Sequence, residues 1–286
     1  MKRKLIFVNI IVVLALLPAA CNSKPEEQPQ QPKAQEAKTQ PVAAHAEDPH
    51  WSYEGAEGPN EWGKLSPKWT ICAEGKSQSP IDIEKTVKAN LPGMTADFKP
   101  AALKIIHHEH TADVVNNGHS IQVNYTEGDE LAIGNEKFEL LQYHFHGPSE
   151  HTIGGKHYPM EMHMVHKSAD GKLAVVGVMI EEGRHNAAFD PVWSNLPKTR
   201  STEYHLEHVK VDVNRLLPSR KTTYRYDGSL TTPPCSEGVK WIIMTTPIQL
   251  SAMQVSAFRA ILTGNNRPVQ PLNGRLVATD HIAESR

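Results

Sequence analysis

Two short runs carry residues that could do chemistry together: Gln142-Tyr143-His144-Phe145-His146 and Glu161-Met162-His163. In an extended strand alternate side chains share a face. The first run then presents Gln142, His144 and His146 on one side, with Tyr143 and Phe145 on the other. In the second, Glu161, His163 and Val165 share a face, with Met160, Met162, Met164 and His166 opposite. Laid side by side, the two strands bring three imidazoles to one point. Three neutral histidines with a fourth position left open are the ligand set of a catalytic zinc site. A liganding histidine usually donates its other N–H to an oxygen. Gln142 is placed to serve His144 in this way, and Glu161 to serve His163.

Spacing alone does not choose these three from sixteen histidines. His108-Glu109-His110 has the same i, i+2 spacing, but its neighbours are polar, and it reads as a solvated strand end. His157, His166, His185, His205 and His208 lack a partner at ligand spacing and read as surface or satisfied core residues. His144 and His146 differ because Phe138, Leu140, Leu141, Tyr143 and Phe145 make their strand a core strand. Burying two imidazoles side by side is costly unless something binds them.

The elements that must position this site are short apolar runs punctuated by Gly, Pro, Asn and Asp. Strands are expected over 105–107, 113–116, 120–125, 138–146, 160–167, 173–181 and 239–245, and helices over 188–194, 213–216 and 251–262. Ser251 is a suitable N-cap and Gly264 a suitable stop for the last helix. No internal repeat is evident. With 286 residues, 39% of them hydrophobic, the chain has material for a substantial core, read as one β-dominated domain over 49–286. A formal charge of −2 gives no reason to expect a nucleic-acid partner.

Residues before 49 have a different texture. Lys2-Arg3-Lys4, an apolar stretch from Leu5 to Leu17 and small residues at Ala19-Ala20 form an export signal over 1–20, too short to span a bilayer. Its removal deletes three positive charges and takes the formal charge from −2 to about −5. Cys21 follows at once, as in a bacterial lipoprotein, although Pro18 stands where leucine is usual. Residues 21–48, rich in Pro and Gln, cannot bury enough surface to offset their ordering entropy and read as a disordered linker, lipid-tethered at Cys21. The chain is expected outside the cytoplasm, periplasmic or at the cell surface, or secreted if Cys21 is not lipidated. There Cys72 and Cys235 are expected to pair as a disulfide.

Taken together, these residues resemble the α-class carbonic anhydrases, in their bacterial branch. The resemblance runs from His50-Trp51-Ser52-Tyr53 through Gln78-Ser79-Pro80-Ile81-Asp82-Ile83 and Asn116-Asn117-Gly118-His119-Ser120. It continues through His144-Phe145-His146, Ser149-Glu150-His151 and Glu161-Met162-His163. Gly228-Ser229-Leu230-Thr231-Thr232-Pro233-Pro234 and Asn265-Asn266-Arg267-Pro268-Val269-Gln270-Pro271 complete it. The fold implied is α+β, a single domain around a large, twisted, mostly antiparallel sheet of about ten strands with short peripheral helices. The activity implied is reversible hydration of carbon dioxide to bicarbonate and a proton by zinc hydroxide, with Zn2+ on His144, His146 and His163. That zinc-bound water ionises near neutrality is a known property of these enzymes rather than something the spacing shows.

By the same matching, Thr231 would accept the hydroxide's hydrogen bond and pass its own proton to Glu150. The Thr231 N–H would hold a substrate oxygen, and His119 would shuttle protons to buffer. Val165, Val175, Leu230, Val239 and Trp241, with Thr232 beside them, would form the substrate pocket. Tyr53, Asn117 and Gln122 would line the polar side. Departures from the pattern are Gly147, where many animal members carry tryptophan, a shorter loop to His163, and Gln122 in place of asparagine. Two other readings are a zinc-free recognition module and an exported zinc-capturing lipoprotein. The first should lack a ligand, and the second would not need His119, Glu150 or Thr231. Ester hydrolysis is a further reaction the same hydroxide could support. The implied partner is a small substrate, with membrane contact only through Cys21; both a monomer and a homodimer are compatible with the sequence.

Overall fold

A computed structural model of the chain describes residues 48–88, 103–106, 109–125, 129–200, 202–220 and 222–280. The expected export signal, Cys21 and all of the linker but Asp48 lie outside these residues, as do His107 and His108.

Strands in the first half of the chain are β1 (Asp82–Ile83), β2 (Val87–Lys88), β3 (Leu103–Ile106), β4 (Glu109–Asn116), β5 (Ile121–Tyr125), β6 (Glu130–Ile133) and β7 (Glu136–His146). Next come β8 (Thr152–Ile153), β9 (Lys156–His157), β10 (Met160–Ser168), β11 (Leu173–Glu182) and β12 (Thr202–Asp212). The last are β13 (Thr223–Ser229), β14 (Glu237–Met244), β15 (Ile248–Leu250) and β16 (Ala278–Asp280). The main sheet follows the path β12-β4-β5-β7-β10-β11-β14-β13-β16-β2. That path has the expected ten strands; β15 joins at β11, β6 at β7 and β3 at β6, making thirteen among the described residues. Most neighbours run antiparallel, while β14 and β15 beside β11, and β2 beside β16, are parallel.

Alternation sorts this sheet into two buried faces. Tyr143, Phe145, Met160, Met162 and Met164 are fully buried in one apolar cluster. Each such side chain contributes about 1.5–3 kcal/mol relative to exposure. The other face carries the histidines and a second apolar cluster that includes Val175, Val239, Trp241 and Ile243. A third, smaller cluster holds Trp62, Trp69 and the Cys72–Cys235 disulfide, formed as the sequence suggested.

Helices are short: α1 (Trp62–Leu65), α2 (Ile71–Glu74), α3 (Asp190–Trp193) and α4 (Ala252–Arg259). The expected helix over 188–194 is a 3-10 turn, Ala187–Phe189, running into α3, and Val213–Leu216 is also a 3-10 turn. Ser251 caps α4 in a capping box with Gln254, the arrangement that satisfies two orphan backbone donors reciprocally. The helix stops at Arg259, before the expected Leu262, and Ile261 and Leu262 both turn their N–H groups onto Phe258 O. Gly264 then takes a φ of 69°, which glycine adopts without a Cβ penalty. Its N–H donates to Gly147 O and returns the chain to the histidine strand.

Candidate metal centre

The register places the rings. Across β7 and β10, His144 lies opposite His163 and His146 opposite Glu161. Ring centroids are 5.0 Å apart for His144–His146, 5.3 Å for His144–His163 and 4.5 Å for His146–His163. One nitrogen from each of the three lies within 4.8 Å of the others.

Each ring has its other nitrogen beside an oxygen. His144 Nδ1 bonds Gln142 Oε1 at 2.8 Å and His146 Nδ1 bonds the Asn265 carbonyl at 2.6 Å, while His163 Nε2 lies 2.9 Å from Glu161 Oε1 as an ion-pair contact outside hydrogen-bond geometry. An acceptor oxygen requires the facing nitrogen to carry a proton, so a neutral ring keeps its lone pair on the remaining nitrogen. His146 Nε2 is buried with no hydrogen-bond partner among the described residues. Such an orphan is unfavourable in a dry interior. Burial first, then the neighbouring rings, holds His144 well below the ordinary imidazole range, and burial also lowers His146. Burial would lower His163 too, but the Glu161 carboxylate outweighs it and holds that ring above its usual value. Three converging imidazoles, one with an orphaned lone-pair nitrogen, fit zinc.

Glu161 does more than orient one ring. Its Oε2 accepts the N–H groups of Glu150 and His151, both at 2.9 Å, and its Oε1 also accepts from His151 Nδ1 at 2.8 Å. Burial alone would raise this carboxyl, yet His151 and His163 hold it well below the carboxylate range. The proton directions follow. His151 Nδ1 faces the carboxylate, its Nε2 lies 2.6 Å from the Tyr226 hydroxyl oxygen, and in a neutral ring that nitrogen accepts; the hydroxyl oxygen in turn lies 2.9 Å from Ser79 Oγ. His151, Glu161 and His163 also form a compact donor group, in which His151 hydrogen-bonds Glu161 and His163 makes an ion-pair contact with it.

Glu150 is fully buried. Its Oε1 accepts the Arg267 N–H at 2.9 Å, while Oε2 lies 3.6 Å from His146 Nε2 and 3.8 Å from His163 Nδ1. Among the described residues Oε2 has no hydrogen-bond partner, so the expected bond from the Thr231 hydroxyl is not seen: one oxygen accepts from Arg267 and the other is turned to the rings. Thr231 is buried, in the turn that runs from Leu230 to the disulfide. The Arg267 guanidinium donates to Gln78 Oε1, Ser79 O and Cys72 O. Burial lowers its pKa to about 10, which still leaves it charged at neutral pH.

The remaining expected site residues fall into two groups. Val165, Val175, Leu230, Val239 and Trp241 belong to the apolar cluster on the histidine face, and the Trp241 ring stands edge-on to His163 at 4.8 Å. Thr232 is half-buried and accepts the Cys235 N–H. On the other side, Gln122 lies opposite His144 and donates to Asn124 Oδ1, while Asn117 Nδ2 reaches Gln122 Oε1 at 3.4 Å. Tyr53 packs near His119, and burial followed by the Glu150 charge keeps its phenol neutral, well above its usual range. His119 stacks on Trp51 with centroids 3.7 Å apart. Burial, His50 and Arg200 lower its pKa.

Elsewhere, His166 is buried, and His157 and His185 are exposed. His110, His205 and His208 lie on β4 and β12, away from the paired histidine strands in the sheet path. Sequence reasoning gave no role to His151, Asn124 or Asn265. His151 sits in a quoted motif, but nothing in its spacing connects it to Tyr226.

Comparison with known proteins shows the family. The model of the eukaryotic-type carbonic anhydrase family matches residues 57–281. A carbonic anhydrase of Pectobacterium carotovorum is 42% identical over 236 residues, covering 82% of this chain and 93% of that protein. Among solved structures, a hyperthermostable carbonic anhydrase from an active hydrothermal vent chimney is 45% identical with a TM-score of 0.74, covering 81% of this chain and 100% of its own. The α-carbonic anhydrase of Thermovibrio ammonificans, solved with the inhibitor sulfanilamide, is 43% identical with a TM-score of 0.74, covering 80% and 98%. The chain belongs to the α-type carbonic anhydrase family, enzymes of carbon dioxide hydration.

Proposed function

We propose that this chain hydrates carbon dioxide reversibly at a zinc ion held by His144, His146 and His163. The observation that carries the reading is the convergence of three buried or half-buried imidazoles, with the orphaned His146 Nε2 facing Glu150. When bound, zinc supplies the charge that makes water acidic enough to act as a nucleophile near neutral pH. The residues do the rest. Gln142, the Asn265 carbonyl and Glu161 hold the rings in orientation, and Glu150, fixed by Arg267, presents an acceptor beside them. Thr231 supplies a hydroxyl to orient the nucleophile and an N–H for a substrate oxygen. The wall of Val165, Val175, Leu230, Val239 and Trp241 receives the apolar substrate, with Thr232 at its edge. Tyr53, Asn117 and Gln122 keep a polar side for water, and His119, neutral at pH 7, takes the proton outward. Ester hydrolysis is a second reaction of the same centre.

The test is zinc content and stopped-flow hydration for the wild type and His163→Ala. Loss of both metal and activity is expected; a zinc-free variant with undiminished activity would overturn the assignment. The disulfide fits an oxidising, exported location. We assign 1–20 to export and 21–48 to a spacer tethered by a lipid on Cys21. Mass spectrometry of the mature N-terminus should find residue 21 acylated; an unmodified Cys21 would remove the lipid.

A further inference from the structure

We infer that Asn265 is a positioning residue that locks the proton-relay segment to a metal ligand, so one side chain sets both the His119 backbone and the His146 ring. This rests on the reading of His119 as the relay. Asn265 is almost fully buried, 2% exposed, in the loop after α4. Its side-chain amide is used in full. Nδ2 donates to His119 O at 3.0 Å and to Phe145 O at 2.9 Å, and Oδ1 accepts the Gly147 N–H at 2.8 Å. Its own carbonyl takes the His146 Nδ1 proton at 2.6 Å. The amide therefore grips the backbone on both sides of His146 while the carbonyl grips the ring between.

Two neighbours show that the segment is a clamp rather than one stray contact. Two residues on, the Arg267 N–H holds Glu150, and one residue back, the Gly264 N–H holds Gly147 O. Ser120, next to His119, makes an independent tie to the same strand, donating to Phe145 O at 2.6 Å and accepting the Phe145 N–H at 3.2 Å. Ser120 touches no metal ligand in this network, so the two ties have separable consequences. Losing the Ser120 tie should loosen the relay alone. Losing Asn265 should loosen the relay and let the His146 carbonyl partner drift. Outer partners of this kind typically govern 10–100-fold in metal affinity.

The experiment compares the zinc-loaded wild type with Asn265→Ala and Ser120→Ala in two measurements. One is the rate of zinc loss to excess chelator; the other is turnover against buffer concentration, with and without added imidazole. Asn265→Ala should release zinc about ten-fold faster, and its turnover should fall several-fold at low buffer and recover with imidazole. Ser120→Ala should show the turnover effect with zinc release unchanged. If the alanine variant does not fold, Asn265→Asp, which keeps Oδ1 and loses both donors, takes its place. A folded variant that is less stable but has wild-type zinc release and buffer dependence overturns the inference alone. A wild type with no buffer dependence overturns the relay reading and the inference with it.

Discussion

Gly177 offers the sharpest probe of how tightly the third histidine is held. It lies directly opposite His163 across β10 and β11, on the histidine face. A Cβ there would stand 2.5 Å from Ile243 Cδ1 and 3.0 Å from Glu161 Oε1. Ile243 is fully buried, and the Glu161 carboxylate is fixed by the donors of Glu150 and His151 and by its ion-pair contact with His163. Neither can retreat freely. Replacing glycine by alanine at a compatible strand site stabilises by about 0.4–1 kcal/mol through the unfolded chain, whereas forcing a methyl into a packed core costs about 1–3 kcal/mol. The second effect wins, so Gly177→Ala should destabilise by about 1–2 kcal/mol. In a domain of this size that lowers the unfolding temperature by roughly 2–8 °C. Displacing Glu161 should also weaken zinc binding about ten-fold. The assays are thermal unfolding of the metal-free protein and competition for zinc with a chelator. Gly183→Ala is the control: its Cβ would meet Gln249 Cδ at 2.6 Å, but that side chain is only half-buried and can swing aside. Equal behaviour of the two variants, or unchanged zinc affinity in Gly177→Ala, would refute the reasoning.

Cys72 and Cys235 are 163 residues apart, and closing a loop of that length stabilises by about 5 kcal/mol in the chain-entropy model. Reductant, or Cys235→Ser, should therefore lower the unfolding temperature, and two free thiols in the untreated protein would refute the bridge. Relay-limited turnover at low buffer should rise with pH as His119 loses its proton, with a midpoint below the ordinary value of about 6.5, because burial, His50 and Arg200 disfavour the charged ring. Arg200→Gln removes one of those repulsions and should move the midpoint upward; an unmoved midpoint would take Arg200 out of the account.

How much of this was legible depends on sequence distance. His144, His146 and His163 were readable because a strand has period two, and Gln142 and Glu161 came with them for the same reason. The third ring's partner sits two residues from it, but the partner of His146 is a carbonyl 119 residues away, and no periodicity reaches that far. The same limit hid His151–Tyr226 and placed the expected Thr231–Glu150 bond where Arg267 competes for the carboxylate. Several short strands went unread, and of the longer ones β12 and β13. The first is an edge strand, paired in the described sheet only with β4, and it carries Glu203, His205, Glu207 and Lys210. An edge strand tolerates charge that a central strand would not. In β13, Arg225 and Asp227 interrupt the apolar pattern although Tyr226 between them is fully buried.

The register explains why the chemistry belongs at β7 and β10 rather than elsewhere on the sheet. One row across the histidine face runs Asn124, Gln142, Val165, Val175, Trp241. The row beside it runs Gln122, His144, His163, Gly177, Ile243. Both start from amide side chains on β5 and end in buried hydrocarbon on β14; the first changes character between β7 and β10, and the second carries a histidine on each of those two strands. Carbon dioxide is apolar, whereas the water it consumes and the proton it yields are not. A centre that must meet both needs ligands on the seam between a wet half and a dry half, and only His144 and His163 among these row members stand there. His110, of the rival His108/His110 spacing, lies on β4, which pairs with β5 and β12 on the outer side of that boundary.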